Sequence, residues 1–258
     1  MRRFTKQLVL ASLVVLPFAV SAQTRLNFVS CPIVRDTSTV PCWLTQHEGE
    51  LYYMGIQTDV SAEFQPPYLG HLVLVEGVVA DVPRICGGIV LEPIRISVMP
   101  ELDASCNTIL PAESQYTIDF NPRPPGPSAG RLAFAAPSPT EPELREPYES
   151  RSIHLFFDFD RGISFRHPAT LLEIKDYAEK VSARRIAIHA TRGTILLSDG
   201  TLLTEDAQIA RRRSEEVAAL LRGVGLEADI QASWSGDLSP ADGIDDWMSR
   251  GVEVLVEP

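Results

Sequence analysis

An arginine on the apolar face of a helix is the most demanding residue in this sequence. Ile209, Val217, Leu220 and Leu221, within the helix expected over Thr204–Arg222, recur at helical spacing with Val224 just beyond it. Arg213 lies four residues from both Ile209 and Val217, so it points from the same face. A guanidinium there must find an acid or stay near water, because an unpaired buried charge is very costly. Two chemistries meet that demand. One is an internal salt bridge, with Asp158 or Asp160 as partner. The other is a fork for the carboxylate of a ligand, which the planar guanidinium suits. Arg211 and Arg212 turn away from the apolar face and read as solvated.

Catalytic constellations are hard to find. His47, His71, His154, His167 and His189 are scattered without metal-ligand spacing, and there is no Gly-x-Ser-x-Gly, His-Glu-x-x-His or phosphate loop. Asp158 and Asp160 share one side of a strand, which suits structural pairing with arginines better than acid–base work. The residues therefore imply neither an enzyme nor a bound cofactor or metal. Four cysteines, Cys31, Cys42, Cys86 and Cys106, lack zinc-site spacing. In an oxidising compartment they read as two disulfides, for which three connectivities exist. Short loops favour Cys31–Cys42 with Cys86–Cys106.

The start of the chain supplies that compartment. Arg2, Arg3 and Lys6 precede an apolar run, Leu8–Val20, and Val20-Ser21-Ala22 offers a small-residue cleavage site. This is the layout of a secretory signal peptide over residues 1–22. The run is shorter than the roughly 20 residues that span a bilayer. The 258 residues carry 45% hydrophobic side chains and a formal charge of -11. That content excludes a wholly disordered chain, and that charge argues against nucleic acid as a partner.

The elements that position Arg213 follow from composition. Residues 23–120 are expected to form a disulfide-linked β-rich domain, with strands at Glu50–Gln57, His71–Ala80 and Ile85–Val98 broken by glycines, and Gln115–Phe120 as a final strand. Such strands suggest a small closed barrel, OB-like in shape. Eight prolines between Pro122 and Pro147 make residues 121–150 a semi-rigid linker. Residues 151–258 alternate strand and helix: Ser152–Phe159, Pro168–Ser182, Arg185–Ala190, Thr204–Arg222, Asp229–Trp234 and Gly251–Val256. Thr204 reads as the N-cap of the second helix, with Glu205 and Asp206 complementing its dipole. The class is α+β, the second half being a βαβαββ sandwich. The linker predicts a protease-stable C-terminal fragment beginning near residue 150.

That second half resembles the OmpA-like peptidoglycan-binding domain over about Arg151–Pro258. The resemblance rests on Leu155-Phe156-Phe157-Asp158-Phe159-Asp160, on Ile209-Ala210-Arg211-Arg212-Arg213-Ser214-Glu215-Glu216-Val217, and on Ser249-Arg250-Gly251-Val252-Glu253-Val254. It implies that Arg213 holds a carboxylate of diaminopimelate in a peptidoglycan stem peptide, with Thr191, Arg192, Asp206 and Arg250 at the same site. Several positions depart from the family. Arg192 stands where the family has an acid that grips the ligand ammonium, Asp206 replaces an asparagine, and Gly251 replaces an arginine. A hairpin signal, Thr194–Leu203 around Ser198-Asp199-Gly200, falls over the ligand's entry.

Two functions follow. One is a non-catalytic wall module in the periplasm, associated with the cell wall or outer membrane, binding peptidoglycan weakly or atypically and tethering the N-terminal domain. The other is a periplasmic scaffold with a degenerate peptidoglycan site. In either, the N-terminal domain could engage an envelope protein.

Overall fold

A computed structural model describes residues 24–56, 68–118, 146–164 and 167–258. The signal-like segment, the last two residues of the expected strand Gln115–Phe120, and residues 121–145 of the proline-rich stretch lie outside them. Among the described residues the chain is a mixed α+β protein with two α-helices, and no helix is long and apolar enough to cross a membrane.

The N-terminal half is one seven-stranded sheet. Its strands are β1 (Arg25–Ser30), β2 (Pro32–Arg35), β3 (Cys42–His47), β4 (Glu50–Ile56), β5 (His71–Val79), β6 (Ile89–Leu102) and β7 (Ile109–Leu110). The order is β1-β5-β6-β4-β3-β2-β7, and the end strands β1 and β7 do not pair. Among the described residues the expected closed barrel is therefore not formed. The long β6 explains why: its first residues pair with β4 and the rest with β5, so one strand serves two layers that pack on each other. Phe28, Trp43, Tyr52, Met54, Val73 and Val75 fill the space between those layers. Residues 115–118 form no strand.

The disulfides are Cys31–Cys106 and Cys42–Cys86, which corrects the short-loop pairing. Strand register gives the reason. β2 and β3 are antiparallel with Pro32 opposite Thr45 and Arg35 opposite Cys42, so Cys31 and Cys42 sit at opposite ends of the hairpin. The Thr45 hydroxyl indeed donates to the Cys31 carbonyl at 3.0 Å. Loop length mattered less than the direction of the strands.

The C-terminal half contains β8 (Arg151–Phe156), α1 (Pro168–Lys180), β9 (Arg185–Arg192), β10 (Thr194–Leu196), β11 (Leu202–Thr204), α2 (Ile209–Gly223), β12 (Asp229–Leu238), a 3-10 turn (Asp246–Ser249) and β13 (Gly251–Glu257). Four strands form a sheet in the order β12-β9-β13-β8, with β12 parallel to β9 and the other pairs antiparallel. Alternate residues of each strand face the helices. Ile153, Leu155, Ile186, Ile188, Val252, Val254 and Val256 pack there against Ile174, Ala178, Val217 and Leu221. The second helix begins at Ile209, not Thr204, because Thr204 is taken by the β10–β11 hairpin. Leu220 and Val224, read as part of its apolar face, are exposed.

The two halves pack directly on each other. β5 (HLVLVEGVV) is buried along nearly its whole length, because each of its faces has its own cover. Val73 and Val75 face the N-terminal core, whereas Leu74 faces Phe159 and Ile195 of the other half. Val29, Met99, Leu197 and Leu203 close around that second cluster. The hairpin is the docking element. Asn27 donates from its side chain to the carbonyls of Leu196 and Gly243; its N–H donates to the Ser198 hydroxyl and its carbonyl accepts the Ser198 N–H. Arg161 donates to the carbonyls of Val98 and Met99.

Cutting the chain within 121–145 should thus leave two fragments that co-elute in native size-exclusion chromatography and part in urea. Both disulfides lie inside the N-terminal half, so only the packed junction would hold them. Separate peaks in native buffer would show that the junction is too weak to matter.

Candidate functional site

The loop after β8 and the residues before α2 converge on Arg213, which is 0% exposed. Its guanidinium donates to both oxygens of Glu205 at 2.9 and 2.5 Å. The remaining donor capacity goes to the backbone: Nε to the Arg161 carbonyl, Nη2 to Asp158 and Nη1 to Thr191. Glu205 is just as fully engaged. It also accepts the backbone N–H groups of Gly193 at 2.8 Å and Asp160 at 2.9 Å. A carboxylate accepts about four such bonds, and here all four positions are taken. The ring of Phe157 lies 4.8 Å below the guanidinium. The partner expected among Asp158 and Asp160 is instead Glu205, which turns inward rather than complementing the helix dipole.

The other site residues surround this pair. Thr191 Oγ1 donates to the Ser249 carbonyl at 2.7 Å. Arg192 spends its donors on the carbonyls of Gly236 and Glu205, both at 3.1 Å, and so staples its strand to the segment before α2. Asp206 is exposed; its carboxylate accepts the Gln208 N–H and its own N–H donates to Asp160. Burial, with the nearby charges of Glu205 and Asp206, raises the Asp160 carboxyl above its ordinary range, although the Asp206 N–H opposes this.

Arg250 makes a second buried ion pair, through Nη2 alone. It is 0% exposed and pairs with Glu76 of β5, so it joins the two halves. Its Nε and Nη1 have no hydrogen-bond partner among the described residues. Gly193 makes room for it, since a Cβ there would meet Arg250 Cγ at 2.6 Å and Ser249 Oγ at 2.5 Å. All five residues marked by the family resemblance thus gather at one corner. Sequence reasoning missed the two acids that complete it. A signal existed for Glu76, a lone acid inside an apolar strand. For Glu205 it was weaker: an acid next to the helix start, within reach of Arg213.

Among the described residues no three His, Cys, Asp or Glu side chains converge to hold a metal ion. No family model matches the chain, and no curated protein matches it significantly. Among solved structures, a MotB-like protein from Desulfovibrio vulgaris is similar at 17% identity, with a TM-score of 0.32, over 42% of this chain and 75% of that one. Likeness at that level carries no functional argument.

Two expected outcomes follow from the buried pairs. Removing one member of a buried pair strands the other, so Glu205→Ala or Arg213→Ala should each cost about 3–5 kcal/mol in urea unfolding. The second outcome concerns pH. Burial raises the Glu76 carboxyl, and Arg250 offsets this only in part. A raised folded pKa means stability that is complete below the ordinary carboxylate range and declines as pH rises through the folded value. Melting temperature should therefore fall from mildly acidic towards neutral pH, and Glu76→Gln should flatten that slope. An unchanged slope would assign it to other groups.

Proposed function

We propose that this chain is a non-catalytic scaffold of the bacterial cell envelope, with an OmpA-like half whose peptidoglycan site is degenerate. The observation that carries this reading is the closed Arg213–Glu205 pair. An incoming stem-peptide carboxylate would have to displace Glu205, leaving a buried charge without its partner. Nothing at the position of the family's acid would compensate, because Arg192 repels the ligand ammonium. The signal-like N-terminus and the two disulfides support a periplasmic location. In this reading the C-terminal half is a platform for the β-rich half, which is left to meet an envelope protein. Attachment to that platform runs through packing and Arg250 as well as through the proline-rich stretch.

Calorimetry with a diaminopimelate-containing stem peptide tests the proposal. The wild-type chain should show no saturable binding. Combining Glu205→Ala with Arg192→Asp frees the fork and restores an acid for the ammonium. That variant should gain a charge-assisted contact worth about 1.5–3 kcal/mol. Saturable wild-type binding that free diaminopimelate competes away would overturn the scaffold reading in favour of a wall-binding module.

A further inference from the structure

Among the described residues three arginines are buried, and only two of them meet acids. Arg213 is paired with Glu205 and Arg250 with Glu76. Arg35, at 6% exposure, forms no ion pair among the described residues. Its Nη1 donates to the Cys86 carbonyl at 3.1 Å, and its Nε is buried without a hydrogen-bond partner. Register puts it there. Arg35 stands opposite Cys42 on the β2–β3 hairpin, and the Cys42–Cys86 disulfide draws in the turn Ile85–Gly88. Ile85 and Gly88 bond each other's backbone, and the residues between them, Cys86 and Gly87, both have positive φ. The guanidinium lies between that turn and Tyr116. Its Cζ is 3.9 Å from the ring centroid, and a Cβ on Gly87 would come within 3.1 Å of Nη1. Cys86, Gly87 and Tyr116 are also walls of an open cleft of about 670 Å³, with Arg84, Ile85 and Gln115 among the others. That volume is ordinary for a small-ligand site.

We infer that this cleft binds a carboxylate, carried by a small organic acid or by the end of a polypeptide chain. A buried guanidinium without a counter-charge is costly, and one carbonyl and one ring face answer it only in part. An anion in the cleft rests against the residues that enclose Arg35, and so supplies the missing counter-charge. Charge selects the class. Arg84 is already paired with Glu50 at 2.7 Å, and that pair is neutral as a whole. Glu113, which accepts the Gln115 amide at 2.8 Å, is exposed, so water and salt screen it. Arg35 is left as a single uncompensated positive charge, which calls for a monoanion. A chain of net charge -11 opposes a polyanion. The planar fork of a guanidinium matches a carboxylate, with Arg84 as a second cation at the rim. Ile85, 37% exposed, offers apolar surface to the body of the acid. All these residues belong to the N-terminal half, so the inference stands apart from the scaffold reading.

Saturation-transfer NMR on the full chain tests this with benzoate, and with benzamide as its uncharged counterpart. Benzoate should bind saturably and benzamide should not. Arg35→Met, which keeps an unbranched side chain but removes the charge, should weaken benzoate at least about 10-fold. Arg84→Gln, at the exposed rim, should weaken it about 3-fold. Should Arg35→Met fail to fold, Arg84→Gln and the difference between acid and amide still decide. N-acetyl-trialanine, as free acid and as C-terminal amide, separates the two sources. A free acid that binds more tightly than benzoate, with a silent amide, assigns the site to a chain end; the reverse order assigns it to a small acid. Failure of both carboxylates to bind would overturn the inference. So would equal binding of benzoate and benzamide, benzoate binding indifferent to both substitutions, or a preference for inorganic phosphate.

Discussion

A guanidinium placed in a protein interior has to be answered, and the answer organises its surroundings. Arg213 sits on the face of α2 that packs into the core, so the chain brings a carboxylate and three carbonyls to it. Each of those groups fixes a segment. Glu205 pins the approach to α2, the carbonyls of Asp158 and Arg161 fix the loop leaving β8, and Thr191 fixes the end of β9. The Gly193 and Asp160 N–H groups then tie β9 and the loop after β8 to the same carboxylate. Fully satisfied, such a network specifies one arrangement of the chain; partly satisfied, it would be worse than an apolar core.

The same reasoning runs one layer outward. Holding β9 and the segment before α2 together projects the β10–β11 hairpin away from the sheet, where it meets β1 and β5. Arg250 then needs its own acid, and the N-terminal half supplies Glu76. The junction mixes this pair with the Leu74, Phe159 and Ile195 cluster. Apolar contact favours docking over a broad area, whereas the ion pair rewards a single register. A domain joined only by a flexible stretch would have needed neither.

How much of this was legible in the sequence depended on the range of the interaction. Strands at 50–56 and 71–79, both helices and the hairpin at 194–204 could be read, because periodicity and turn residues are local signals. The C-terminal order of elements was equally local. Disulfide pairing was misread because Cys31 and Cys42 are close in sequence but separated by the length of a β hairpin. Barrel closure was misread because one fourteen-residue strand, β6, divides its pairing between two neighbours. At the site, Arg213 announced itself through its position on an apolar face, but the only local mark of Glu205 was an acid next to the helix start. Asp158 and Asp160 were equally near candidates, and only the path of the backbone decides among them.

Under the proposed reading, closing the fork with an internal acid would let the motif residues that resemble the OmpA-like family persist while their chemistry differs. A fork that binds an external carboxylate must be left open and hydrated, which weakens the fold around it. Once an internal acid enters the fork, the arginine becomes structural and its loss would be felt in folding. Arg192 has a structural part in the same corner, where its guanidinium donates to two carbonyls, those of Gly236 and Glu205. The corner built on Arg213 and Arg250 is a joint, and the joint carries the hairpin that receives the other half of the protein.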